Sequence, residues 1–302
     1  MLKPHGIIPP IITPMTEDGK FNESVFITMI HHLIEEGVHG IFPLGTTGEF
    51  YAFSDQEIRG ILKLAKEESA KAGERVGRKI DVYAGATHIT TRKTVELVQL
   101  AEDVGVDAVS VLTPMFISQS QEEIYRFYKT IAENTALPII IYNNKPKTNV
   151  TLTPETVARL AQIKNIVGIK DSTGDFTNTE EYIRLTRDID DFSVLLGRDT
   201  LIYAGLCYGA TGAIASCANI APRIAADIYD KYMAGDLEGA LEAQFKLAPL
   251  RIACNMGSFP EVIKEGLMMQ GYPVGKCLEP IAELKPAEKE ALAKILQKMD
   301  LL

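Results

Sequence analysis

The sequence predicts an α/β protein of the (β/α)8 TIM-barrel class with a small C-terminal helical extension, and three observations predict it. Short apolar runs rich in β-branched residues alternate with longer amphipathic stretches eight times before residue 234. These runs are predominantly apolar, as expected of parallel strands buried on both faces. The alternative, a doubly wound sheet, would carry a glycine-rich phosphate loop after its first strand, and GIIPPIITPMTEDG has no such loop.

Taken in order, the first strand is expected at 6–14 and the second at 37–45. Between them Val25, Phe26, Met29, Ile30, Leu33 and Ile34 form one apolar helical stripe. Ser54 with Glu57 reads as a capping box that opens the next helix. Strands three and four follow at 81–87 and 107–114, and Ser120 with Glu123 repeats the capping box. Strand five is placed at 138–144, with Thr153 as the next N-cap and Pro154 in the first turn. Strands six to eight are placed at 166–172, 192–199 and 209–216. Helical stretches come last, near 220–234, 236–253, 258–270 and 286–298, with Ser258 and Glu261 expected to cap the third and Pro286 to open the fourth. The first of them completes the barrel. Residues 1–234 are therefore assigned to the barrel and 235–302 to a helical cap, which no flexible linker makes an independent domain.

Composition narrows the function. The chain has 302 residues, 46% hydrophobic and 24% charged, enough for a large core. A net charge of −9 disfavours nucleic acid and anionic membranes as partners. The absence of a basic-then-apolar leader and of a bilayer-length apolar stretch leads to the expectation of a cytoplasmic protein. Cys207, Cys217, Cys254 and Cys277 lack short paired spacing and lie among apolar residues, so free buried thiols are expected. The histidines form no HExxH pattern, and no metal site is expected.

In such a barrel chemistry gathers at the C-terminal strand ends. Here those ends carry Thr13, the GTTGE turn from Gly45 to Glu49, Thr87, Thr113, Tyr142 with Asn143, Lys170 with Asp171, Arg198 with Asp199, and Ser216. This is a ring of hydroxyls around one lysine. Lys170 ends the apolar run IVGIKDS, where desolvation favours the neutral amine, the form that attacks a carbonyl carbon to make an imine. The plainer alternative is a lysine whose stem reaches solvent. Strand five should neighbour strand six, which brings the Tyr142 phenol within reach as a proton shuttle. The GTTGE turn reads either as an anion nest or as a tight turn with Glu49 solvated.

GTTGE, the LTP turn at 112–114, YNN at 142–144 and GIKDSTGD at 168–175, in this order and across essentially the whole chain, resemble the dihydrodipicolinate synthase and N-acetylneuraminate lyase family of class I, Schiff-base-forming, pyruvate-dependent aldolases. The resemblance implies that Lys170 forms an imine with the keto carbon of pyruvate or another 2-oxo acid. It also implies that Tyr142 moves the proton and that Thr46 links it to a relay. Thr47 and the backbone from Gly45 would hold the carboxylate, and the Ile214 carbonyl would line the pyruvate pocket. It further implies a cytoplasmic homotetramer free of metal and organic cofactor.

Three positions depart from the lysine-pathway synthase pattern. Met115-Phe116 stands where that synthase carries a tyrosine pair, and a phenyl ring passes no proton. Lys147 stands where an arginine would grip the second substrate. GRD at 197–199 is similar to the G-x-D of sugar-acid lyases, where the acid reads substrate hydroxyls, so that Arg198, Asp199 and Thr200 would serve a polyhydroxylated or carboxylated aldehyde. The leading expectation is a catabolic aldolase or lyase acting on a 2-keto-3-deoxy sugar acid, with pyruvate and an aldehyde as its small-molecule partners. The alternative is 4-hydroxy-tetrahydrodipicolinate synthase. A dehydratase or deaminase using the same imine remains a third enzymatic reading, and from another class comes an inactive metabolite-binding protein on the same fold.

Overall fold

The computed structural model describes residues 2–302. Eight strands form one parallel sheet: β1 Gly6–Ile7, β2 Gly40–Ile41, β3 Asp81–Gly85, β4 Ala108–Leu112, β5 Ile139–Asn143, β6 Ile166–Asp171, β7 Ser193–Leu196 and β8 Gly212–Ala213. Their order is β1-β8-β7-β6-β5-β4-β3-β2. The two ends of that order meet through backbone hydrogen bonds: His39 N donates to Ile7 O at 2.8 Å, Phe42 N to Pro9 O at 3.0 Å and Ile11 N to Phe42 O at 3.0 Å. The sheet therefore curls into a barrel with helices outside.

β1, β2 and β8 are shorter than their apolar runs suggested. Pro9, Pro10, Pro14 and Pro43 have no N–H to donate, so the ladder stops at them. At β8, Gly209 still closes helix Ile202–Tyr208 in the left-handed region, with φ 102°, and leaves only a short strand after it.

The predicted helix starts hold where a side chain makes the cap. Ser54 and Ser120 both form complete capping boxes, and the Thr153 hydroxyl accepts from Thr156 N. All six residues of the first apolar stripe are buried in helix Glu23–Glu35. Helices Pro222–Met233, Leu237–Ala253, Glu261–Met269 and Pro286–Lys298 close the chain. The third begins three residues later than expected: Ser258 does not cap it with its side chain, and its carbonyl instead accepts Glu261 N. Three of the four thiols are buried as expected, but Cys207 is exposed, on the outer side of helix Ile202–Tyr208.

Inside the barrel, Ile8, Phe42, Tyr83, Ala108, Ile140, Val167, Leu195 and Ile214 pack as one cluster, one residue from each strand region. The larger core lies between strands and helices. One irregularity sets the direction of Lys170. Ile139 pairs with Ile166 but Ile140 pairs with Gly168, so Val167 is an extra residue in β6. With Val167 facing inward, strict alternation would turn Lys170 outward; the extra residue resets the phase and points it back inside.

Candidate active site

β5 and β6 lie side by side with Tyr142 directly opposite Lys170 in register. Both side chains point into the C-terminal mouth of the barrel and both are buried. Lys170 Nζ lies 3.9 Å from the centre of the Tyr142 ring and 5.4 Å from that of Phe42. Asn144 Nδ2 donates to the Tyr142 hydroxyl at 2.7 Å. Burial pushes the phenol up, yet the Lys170 charge and the polar side chains of Thr46, Ser172 and Asn144 outweigh it, leaving Tyr142 below the usual phenol range. The Thr46 hydroxyl is buried beside it.

The residues after Tyr142 and Lys170 point the other way, as alternation requires. Asn143 donates to Asp171 at 3.2 Å and to the Tyr182 hydroxyl at 2.9 Å, while Asp171 accepts from Thr173 and Thr179. Desolvation raises the Asp171 carboxyl despite these bonds. The pair braces the ends of β5 and β6 from outside the site. Thr13, Thr87 and Thr113 are likewise engaged in structure; Thr13 donates to Gly48 O at 2.8 Å and Thr87 accepts from Leu112 N at 3.0 Å.

The GTTGE turn does not leave Glu49 in solvent, as the tight-turn alternative required. Glu49 is fully buried, with φ 54°, and its carboxylate lies 2.6 Å from Lys264 Nζ. Its other oxygen accepts from Leu278 N at 2.8 Å, and Lys264 also donates to Lys276 O at 2.9 Å. The turn is thus anchored to the C-terminal segment. Gly48 is required because a Cβ there would lie 2.9 Å from Ile11 O.

A cavity of about 490 Å³ opens at this mouth. Thr46, Thr47, Tyr142, Lys170 and Ile214 line it together, with Lys147 at its edge; Gly45 supplies only backbone nearby, accepting from Gly48 N and Phe50 N. Asp199 does not line the cavity. Its carboxylate is buried, accepting from Cys217 N at 2.8 Å and the Ser216 hydroxyl at 3.3 Å, with Arg251 Nε 3.5 Å away. Sequence reasoning missed Asn144, Ser172, Arg251 and Asn255, which do line it. Ser172 had a signal, being two residues beyond Lys170 and so on the same side of the strand. Arg251 had none, because helix Leu237–Ala253 reaches the mouth only through the tertiary fold.

Phe116 is 90% exposed, with φ 77°, and does not line this cavity. Next to it Met115 lines a second, more apolar hollow of about 460 Å³ with Tyr51, His88 and Ile89. Thr46 and Lys147 line both, so the two adjoin. Among the described residues no three His, Cys, Asp or Glu side chains cluster closely enough to hold a metal ion.

Comparison with known proteins places this geometry. The sequence matches the dihydrodipicolinate synthetase family over residues 3–299. It is 36% identical over 300 residues to the 4-hydroxy-tetrahydrodipicolinate synthase of Methanopyrus kandleri, covering 99% of this chain and 97% of that one. The fold superposes on dihydrodipicolinate synthase from Acinetobacter baumannii complexed with pyruvate, with a TM-score of 0.92, 32% identity and 99% of both chains covered. It also superposes on a prophage protein of the dihydrodipicolinic acid synthase family from E. coli K12 in complex with pyruvate, with a TM-score of 0.91, 30% identity and 99% of both chains covered.

Proposed function

The chain belongs to the dihydrodipicolinate synthetase family of class I aldolases and lyases, and from that premise we propose that it joins pyruvate to an aldehyde through a Lys170 imine, with 4-hydroxy-tetrahydrodipicolinate synthase as the first activity to test. The names of its relatives favour this reading over the sugar-acid lyase that the sequence put first. The observation that carries the imine is Lys170 Nζ, buried 3.9 Å above the Tyr142 ring in the cavity that Thr46 and Thr47 share.

The pyruvate carboxylate sits on the Thr46–Thr47 turn, and the Lys170 amine attacks C2 to form a carbinolamine. Its hydroxyl leaves as water on a proton from Tyr142, giving the imine, whose C3 then loses a proton to become an enamine. Enamine C3 bonds to the aldehyde carbon, and the new alkoxide takes up a proton. Water, or an amine on the product itself, frees Lys170. A phenol held below its usual range both gives and retrieves these protons more readily near neutral pH. Thr46, whose side chain lies against the phenol, is the residue proposed to carry the proton onward.

Borohydride reduction in the presence of pyruvate should add one reduced pyruvate at Lys170 and none in Lys170→Ala. A coupled assay should show turnover with aspartate semialdehyde; trapping at another lysine would sink the mechanism. The sugar-acid lyase remains a second reading because Phe116 carries no proton and Lys147 lacks the planar fork of arginine. Faster turnover of a 2-keto-3-deoxy acid would put it first. We further propose a cytoplasmic homotetramer, which the family resemblance and the free thiols support.

A further inference from the structure

We propose that Arg198 and Arg251 form a subsite, on the β7 side of the mouth, that grips an anionic group, carboxylate or phosphate, at the far end of the aldehyde partner. The inference rests on the imine reading of Lys170 and adds to it where the second substrate lies and what it carries.

The cavity lining is charged in one sense only. Lys147, Lys170, Arg198 and Arg251 line it and no aspartate or glutamate does, in a chain whose net charge is −9. A cavity so opposed to the charge of the whole molecule concentrates anions. The 2-oxo acid carboxylate, placed on the Thr46–Thr47 turn, answers one part of that field. The cations beyond it are left over.

Arg198 is the residue without an answer. It is half-buried, and among the described residues its guanidinium makes no hydrogen bond or ion pair. Gly174 lets it lie close, since a Cβ there would stand 3.1 Å from its Nε. Burial, and after it the charge of Arg251, depress the Arg198 guanidinium, so the two cations feel each other. Two acids act on it, and both are committed elsewhere: Asp171 accepts from Asn143, Thr173 and Thr179, and Asp199 from Cys217 N and the Ser216 hydroxyl, with one edge of Arg251 beside it. Asp199 thus answers Arg251, while neither carboxylate makes an ion pair with Arg198. An anion in the cavity would relieve that repulsion, and guanidinium forks match the flat oxygens of carboxylate and phosphate. Lys147, exposed at the edge, supplies attraction at longer range but no fork.

The test compares matched aldehydes with pyruvate as donor: succinic semialdehyde against butanal, and glyceraldehyde 3-phosphate against glyceraldehyde. The wild type should prefer the anionic member of at least one pair, and the pair that shows preference tells carboxylate from phosphate. Arg198→Gln should cut kcat/KM for the anionic aldehyde by about 10- to 100-fold, chiefly through KM. The neutral aldehyde and pyruvate trapping at Lys170 should be unchanged, and Arg198→Lys should recover part of the loss. Calorimetry with succinate and with inorganic phosphate reads the subsite without turnover, and Arg198→Gln should abolish the binding seen. Equal use of neutral and anionic aldehydes, or equal losses for both in Arg198→Gln, overturns the subsite. Failure of the wild type to trap pyruvate, with Arg198-dependent anion binding intact, overturns the imine and leaves the subsite standing.

Discussion

The phenol of Tyr142 is set below its ordinary pKa of about 10 by the lysine it serves, and this ties activity to pH in a definite direction. The donor form is lost as pH rises through the depressed value, so the alkaline limb of kcat/KM should begin below about pH 10. Tyr142→Phe should lower kcat by about 10²- to 10⁴-fold and remove that limb, as a pH-rate series will read. A limb unchanged in the variant would assign it elsewhere. The Glu49–Lys264 pair makes a different claim. Both groups are fully buried, so removing one strands the other's charge. Lys264→Met should cost about 3–5 kcal/mol by denaturant unfolding. Glu49→Gln with Lys264→Met should cost less than Lys264→Met alone, and an effect below about 1 kcal/mol for the single change would refute the account. Lys170 and Tyr142 were legible because both end buried strands. Asp199 was found by its motif, but its carboxylate is turned to Cys217, Ser216 and Arg251, a use that no local spacing records.

At the scale of elements, the eight-fold alternation and the Ser54, Ser120 and Thr153 caps were readable because each depends on residues within a few positions of one another. The extra residue Val167 was not, since a bulge is defined by the partner strand. Nor was the part the C-terminal helices take in the site. Arg251 and Cys254 line the cavity, and Gln244 accepts from Tyr203 N at 2.9 Å while donating to Asp199 O at 2.8 Å. Ala240, Leu247 and Leu250 are fully buried on helix Leu237–Ala253, and Val262, Ile263 and Leu267 on Glu261–Met269. Residues 235–302 are therefore proposed as part of the barrel's own folding unit. A chain ending at Ala234 should lack a cooperative thermal transition by circular dichroism and trap no pyruvate, because the apolar partners of those side chains are left in water. Cooperative melting of the shortened chain would make the cap dispensable.

For the whole molecule, the exposed apolar residues argue for the proposed tetramer. Exposed Tyr51 and Ile89 line the hollow beside the active site, and exposed Phe116 and Ile117 directly follow Met115, which lines it too. A second patch lies on helix Leu237–Ala253, where Phe245 and Ile252, 60% and 63% exposed, stand two turns apart on one side. A tetramer of dihedral symmetry needs two kinds of twofold contact, and the two patches offer one apolar face for each. Light scattering on the eluted protein should report four chains. Ile117→Asp should open the first contact and Phe245→Asp the second, each leaving dimers, and the double variant should give monomers. The two dimers should differ in activity. Thr46 and Lys147 border both the active cavity and the hollow under the first patch, so opening that face frees the backing of the proton relay. Ile117→Asp should therefore lose turnover together with assembly, whereas Phe245→Asp should lose assembly alone; equal turnover in the two would separate the interface from the chemistry.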